Sequence, residues 1–201
     1  MSDLNQAYHL GLRSIGDDVV IWAKAQIIGA ENIGIGDSVI IDDFVFLMAS
    51  APTTIGSFVH IAAGTAIVGG GELVMDDFSG LSGGVRVYTA NEDYLGGALT
   101  NPAVPPPYRN PIRSFVHIGK HAIVGANSVI LPGVEIAEGT AVGALSLVTR
   151  SLEPWTIYGG SPARPIRDRP RDKILELEAR LRESLFDEGG KYIPASRRVA
   201  P

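Results

Sequence analysis

Branched aliphatic residues recur in this chain at every sixth position. From Ile118 the step gives Val124, Ile130, Ile136, Val142 and Val148. Ile55, Ile61, Ile67, Leu73 and Val85 keep the same interval, with Ser79 as its one polar member. Ile15, Ile21, Ile27 and Ile33 lead, after a slip of two, into Ile35, Ile41 and Leu47. Glycine often follows the aliphatic, as at Gly56, Gly119, Gly125 and Gly143, and a small or β-branched residue often stands four places on, as at Val59, Thr65, Ser128 and Ser146. Neither a helical period of about 3.6 nor strand alternation sustains a step of six. Hexapeptide repetition is the pattern of a parallel β-helix, in which each unit is a short strand and a turn and the aliphatics stack from coil to coil. Three hexads per coil predict roughly six coils and a prism about 30 Å tall at ~4.8 Å per parallel strand. A β-sandwich would place strands about every 8–12 residues and leaves the unbroken step unexplained.

Two stretches depart from the period. Residues 90–116 hold Pro102, Pro105, Pro106, Pro107 and Pro111. Prolines stiffen a chain and remove ladder donors, so an arm leaving the prism is expected there, of a length that is usually functional. After "SPARPIRDRP" the stretch "DKILELEARLRESL" carries Ile174, Leu177, Leu181 and Leu185 at helical spacing. Glu176 and Arg180 pair on its outer side, Pro170 suits the start and Gly189-Gly190 the end. That helix is expected to cover the open end of the prism or to pack on a neighbour. The chain therefore divides into a β-helix domain, 1–168, and a helix with tail, 169–201. The last twelve residues suggest no function.

Composition excludes several classes. The net charge is −5 and the basic residues gather after Arg150, so no basic face stands out for nucleic acid. With no cysteine there are no disulfides, zinc–thiolate sites or thiol nucleophiles. "MSDLNQAYHLGLRSIG" is unlike a signal peptide. The apolar runs fall far short of the ~18 residues of a membrane span. A cytoplasmic location without membrane insertion is expected.

With "IGKHAIVGANSVILPGVEIAEGTAVGALSLVTRSL" and "IYGGSPARPI", the chain resembles the hexapeptide-repeat acyltransferases over residues 15–167, and their sugar O-/N-acetyltransferase branch in particular. The resemblance implies an all-β fold, a left-handed parallel β-helix. It also implies a homotrimer with active sites in the grooves between prisms, and acetyl-CoA as co-substrate. The handedness is the family's; generic chirality favours right-handed crossovers.

In "VRVYTANEDYLGG", residues 85–97, the strand entering the arm ends where sugar-acetylating relatives carry a basic histidine. This chain has Glu92, flanked by Asn91, Asp93 and Tyr94. A carboxylate near pKa ~4.3 is a poor base for an alcohol and an adequate partner for an amine, which is also the better nucleophile. The expected reaction is transfer of an acetyl group to a sugar, with an amino group the first choice of acceptor, sugar O-acetylation the alternative, and surface polysaccharide synthesis the setting. Glu92 and Asp93 are the candidate catalytic groups, with His117 in reserve if the arm folds back over it. Tyr108, Arg109 and Arg113 in the arm are candidates to hold the diphosphate and base of a nucleotide-linked sugar.

Gly125-Ala126 and Gly143-Ala144 lie eighteen residues apart and are expected to stack on one edge, where the resemblance implies main-chain contacts with the pantetheine arm. Thr149-Arg150 and Arg164 match family positions near the cofactor's phosphates. Ile123 stands where the family usually has tryptophan, leaving one cofactor wall thin. Two rivals share the architecture. A γ-class carbonic anhydrase would need zinc held by histidines such as His60, His117 and His121, but His117 and His121 are expected on different sides of a coil and His60 several coils away, so no metal is expected. A non-catalytic scaffold would need neither the Gly-Ala edge nor the acidic arm.

Overall fold

The structure, a computed structural model, describes residues 10–198, so His9 lies outside the described residues. Short strands stack on three faces of a triangular column, the parallel β-helix the period predicts, with the left hand the resemblance implies. The first face carries Ser14–Ile15, Ile33–Ile35, Thr53–Ile55, Glu72–Met75, Phe115–Ile118 and Val134–Ile136. The second carries Val20–Ile21, Ile40–Ile41, His60–Ile61, Gly80–Leu81, Ile123–Val124, Ala141–Val142 and Thr156–Gly159. The third carries Gln26–Ile28, Phe46–Met48, Ala66–Val68, Arg86–Tyr88, Val129–Ile130 and Leu147–Val148. All these pairings are parallel, and Arg164–Asp168 turns back antiparallel, along Thr156–Gly159, to close the top.

The period of six has a phase slip that the sequence alone misses. Ile15, Ile35, Ile55, Met75, Ile118 and Ile136 form one vertical row. The first four of these are twenty residues apart, not eighteen, because eight residues rather than six separate the third-face aliphatic from the first-face one in the lower coils, as from Ile27 to Ile35 and from Leu47 to Ile55. The aliphatics that stack above Ile61 and Ile67 are therefore Leu81 and Val87. Ser79 and Val85 fall at the small-residue position four places along. Ser79 is buried but leaves no polar gap, since its hydroxyl donates to the Asp76 carbonyl at 2.7 Å. The one apparent defect in the aliphatic row is thus an ordinary corner residue, satisfied where it is buried.

The corners need left-handed backbone, and bulky residues supply much of it. Asp18, Ser38, Phe58, Phe78 and His121 share this conformation at the first corner, and Phe44, Asn127 and Leu145 at the second. A side chain in that region costs about 1–2 kcal/mol. At the first corner stacking offsets it. The Phe58 and Phe78 rings lie parallel with centroids 4.8 Å apart, and His121 stacks on Phe78 at 5.2 Å. Such pairs contribute about 0.5–1.5 kcal/mol each.

That aromatic ladder is what the C-terminal segment covers. The helix Asp172–Leu185 packs along the first corner rather than over the open end. Its buried position is Glu178, not Leu177, which is 49% exposed. Glu178 accepts from His121 at 2.8 Å and meets Lys120 at 2.7 Å and Arg182 at 2.6 Å. Burial pushes this carboxyl up, but the hydrogen bonds from Lys120, Arg182 and His121 outweigh it and hold it at about 2. Arg182 also reaches Asp77 and lies over the Phe78 and Phe186 rings. The tail continues down the same corner to the first coil, where the buried Tyr192 donates to Asp18 at 2.8 Å. Residues 192–198, silent in the sequence, are the lower anchor of a strap that runs the length of the column.

Candidate functional site

The arm leaves at the third corner. Its neck is closed by Ser114, whose amide donates to the Thr89 carbonyl at 2.9 Å, so the coil resumes at Phe115 as though uninterrupted. Ala90–Asn91 and Ile112–Arg113 then pair antiparallel as the arm's base. Beneath them run Gly69, Gly70 and Gly71, a signal the sequence offered and the period obscured. A Cβ on Gly71 would overlap the Ser114 carbonyl and one on Gly69 the Thr89 hydroxyl, so the close approach of the neck requires glycine at both. The arm itself is exposed: Tyr94 is 87% accessible and Tyr108 63%.

Two residues expected to act separately are joined. Arg109 donates through Nη2 to Glu92 Oε1, and the pair is largely withdrawn from solvent. Glu92 Oε2 and Arg109 Nε are buried with no partner, the second prongs of what would be a two-pronged contact. One oxygen of Glu92 is therefore engaged, and Arg109 is not a free cation for a diphosphate. Asp93 accepts from the Leu95 amide at 2.7 Å and shapes the loop. A cavity of about 280 Å³ lies under the arm, lined by Asn91, Glu92, Arg109 and Arg113, with Ser50 and Gly70 opposite.

The second corner holds the Gly-Ala edge. The Gly125 amide donates to the Val142 carbonyl at 2.7 Å and that of Gly143 to Tyr158 at 2.8 Å, so the two Gly-Ala steps do stack. A Cβ on Gly125 would sit 2.5 Å from the Ala144 nitrogen, so glycine is needed there for stacking alone. One coil below Gly125 the same ladder continues with Ser82, whose amide donates to the Val124 carbonyl at 2.9 Å. The period of six does not single out Ser82. Its signal was the phase slip, which places Leu81 beneath Val124 and hence Ser82 beneath Gly125. Arg164, opposite Gly159, stands at the top of this edge. Thr149-Arg150 do not join it: they follow Leu147–Val148 at the third corner, above the arm. Ile123 is 46% exposed on the second face beside the edge.

The histidines are dispersed. His117 points outward from the first face with Nε2 2.8 Å from Asp76 and Nδ1 3.7 Å from Glu135, so both nitrogens face carboxylates and neither faces the arm's cavity. His60 meets Asp42 on the second face at 3.0 Å, and His121 is buried against Glu178. Among the described residues no three metal-ligating side chains converge.

Comparison with known proteins supplies what one chain cannot. The profile described as Bacterial transferase hexapeptide (six repeats) matches residues 115–150. An Escherichia coli dTDP-4-amino-4,6-dideoxy-D-glucose acyltransferase is 41% identical over 184 residues, 91% of this chain and 95% of that one. AntD, an N-acyltransferase from Bacillus cereus solved with dTDP and coenzyme A, superposes with a TM-score of 0.86 at 44% identity, covering 91% of this chain and 98% of that one. AntD has also been solved with 3-hydroxybutyryl-CoA, with dTDP-4-amino-4,6-dideoxyglucose, and as variants of a serine and of an aspartate ten residues further on. A maltose O-acetyltransferase from Clostridium difficile, 20% identical with a TM-score of 0.57, shares the fold.

Proposed function

Because the chain belongs to the hexapeptide-repeat acyltransferase family, we propose that it transfers an acyl group, acetyl first among them, from coenzyme A to the amino group of a dTDP-linked 4-amino-4,6-dideoxy sugar. The observation that carries this reading is the match, over nine-tenths of the chain, to acyltransferases that act on or bind that amino sugar. We place the reaction in the cytoplasm, among the steps that build surface polysaccharides.

The chemistry asks little of the protein. A neutral amine attacks a thioester carbonyl with its own lone pair, so an ammonium group must first shed one proton; the nitrogen sheds a second as the amide forms and the C–S bond breaks, and a proton returns to the departing coenzyme A thiolate. Glu92 Oε2, unpartnered at the base of the arm, supports the role of proton acceptor, with Asp93 beside it to steer an ammonium group. His117, with a carboxylate at each ring nitrogen, is not used. The Gly-Ala edge, narrow and lined by backbone, suits an amide-rich pantetheine arm, with Arg164 above it for phosphate.

These parts lie at different corners. Glu92 is at the third and Ser82 with the Gly-Ala edge at the second, so one chain does not bring them together. The reading therefore takes the site to be shared between copies in a homotrimer, the arm of one facing the edge of the next. Ser82 and Glu92 stand ten residues apart, the interval between the serine and the aspartate varied in AntD. The test is thiol release from acetyl-CoA and 3-hydroxybutyryl-CoA with dTDP-4-amino-4,6-dideoxyglucose or its 4-hydroxy counterpart as acceptor. Turnover of the amine alone is expected. Equal turnover of the hydroxyl compound, or none of the amine, would overturn the assignment.

A further inference from the structure

Within the cavity under the arm the two arginines have different situations. Arg109 is committed to Glu92, whereas the Arg113 guanidinium has no ion-pair or hydrogen-bond partner among the described residues. Its backbone is fixed by pairing with Ala90, and its side chain lies flat across Gly70. A Cβ on Gly70 would stand 2.6 Å from Arg113 Nε and 2.9 Å from its Cδ. Here Gly70 differs from its two neighbours. Gly69 and Gly71 are required by backbone and a buried hydroxyl of the neck, but at Gly70 only a flexible side chain would have to move. The fold tolerates alanine at Gly70; the pose of Arg113 does not. Asn91 and Ser50 line the same cavity and add neutral polar groups. With Glu92 neutralised by Arg109, Arg113 leaves the cavity one net positive charge facing open space.

We propose that Arg113, laid over Gly70, is the residue that binds the diphosphate of the nucleotide-linked sugar, and that Arg109 serves only to position Glu92. A planar guanidinium with unused donors beside a glycine floor is suited to a phosphate group. This inference rests on the proposed function, since the acceptor must carry a diphosphate. Coenzyme A also carries phosphates, so the two sources are separated by titrating each alone.

The experiment is calorimetric titration of the full-length protein with dTDP and, separately, with coenzyme A, for the native chain, Arg113→Gln and Gly70→Ala. Arg113 is exposed, so Arg113→Gln leaves the fold intact, which a thermal melt checks. The expected result is a loss of dTDP affinity of about tenfold or more for Arg113→Gln, a smaller loss for Gly70→Ala, and unchanged coenzyme A affinity. Unchanged dTDP affinity in Arg113→Gln overturns this inference and leaves the proposed function standing. A loss confined to coenzyme A overturns it equally and reassigns the cavity to the cofactor. Failure of the native chain to bind dTDP while it binds coenzyme A removes the nucleotide acceptor and this inference with it.

Discussion

Mixing two inactive variants should recover activity in a fixed proportion. Ser82 stands at the second corner and Glu92 at the base of the arm on the third. The third face, one hexad wide, separates them by up to roughly 20 Å at ~3.3 Å per residue. A reacting centre needs its groups within about 3 Å of the atoms they serve. A site using both residues must therefore draw them from two chains. Ser82→Ala and Glu92→Gln are each expected to lower kcat by about 100-fold. For the proposed homotrimer, co-expression of the two variants with different tags, followed by purification on both, yields only mixed trimers. In a cyclic trimer each site joins the edge of one copy to the arm of the next. Every mixed trimer then contains one site with Ser82 and Glu92 both intact, whatever the mixing ratio. Thiol release should return to about one third of the native rate. Recovery no greater than the average of the two single variants would refute the shared site, and would put Ser82 and Glu92 in the same chain's site or outside the mechanism.

Three further outcomes follow from named contacts. Glu178 should titrate as a stability switch. Its folded pKa is depressed from the ordinary 4.5 to about 2, so its contribution is complete above 4.5 and is lost as pH falls towards 2. That displacement is worth about 3 kcal/mol, so Glu178→Gln should lose about that much in urea unfolding at pH 7 and lose the acid dependence between pH 4.5 and 2, with activity kept at low temperature because the first corner is remote from both halves of the site. Gly125→Val should lower stability by about 2 kcal/mol, read as a fall in Tm, because its Cβ would meet the Ala144 nitrogen at 2.5 Å; an unchanged Tm would mean the coils can part there. Arg109→Leu strands the Glu92 carboxylate and should speed proteolytic cutting within residues 92–109 several-fold, whereas Glu92→Gln, which keeps a hydrogen-bond acceptor, should change that rate far less.

The arm shows how residue type and residue placement part company. Glu92, Asp93, Arg109 and Arg113 could all be picked out by their chemistry in a proline-rich interruption of the repeat. Which carboxylate meets which guanidinium could not, because the contact is made between the two limbs of a loop, seventeen residues apart, that the neck at Thr89 and Ser114 brings together. The helix is a second case. Of its stripe Ile174, Leu177, Leu181 and Leu185, all but Leu177 are half-buried, yet the corner it covers presents Lys120, His121 and Asp77, so the carboxylate of Glu178 takes the most buried place.

What the sequence determined by itself was the column: a hydrophobic step of six is a local, repeated constraint, and each coil reads the same rule as its neighbour, so no distant contact has to be known. The phase of that step, the corner on which each functional group stands, and the pairing of Glu92 with Arg109 were decided only in three dimensions. The physical reason is that a coil of eighteen residues and one of twenty bury equally good aliphatic rows, and only the hydrogen-bonded register between coils distinguishes them.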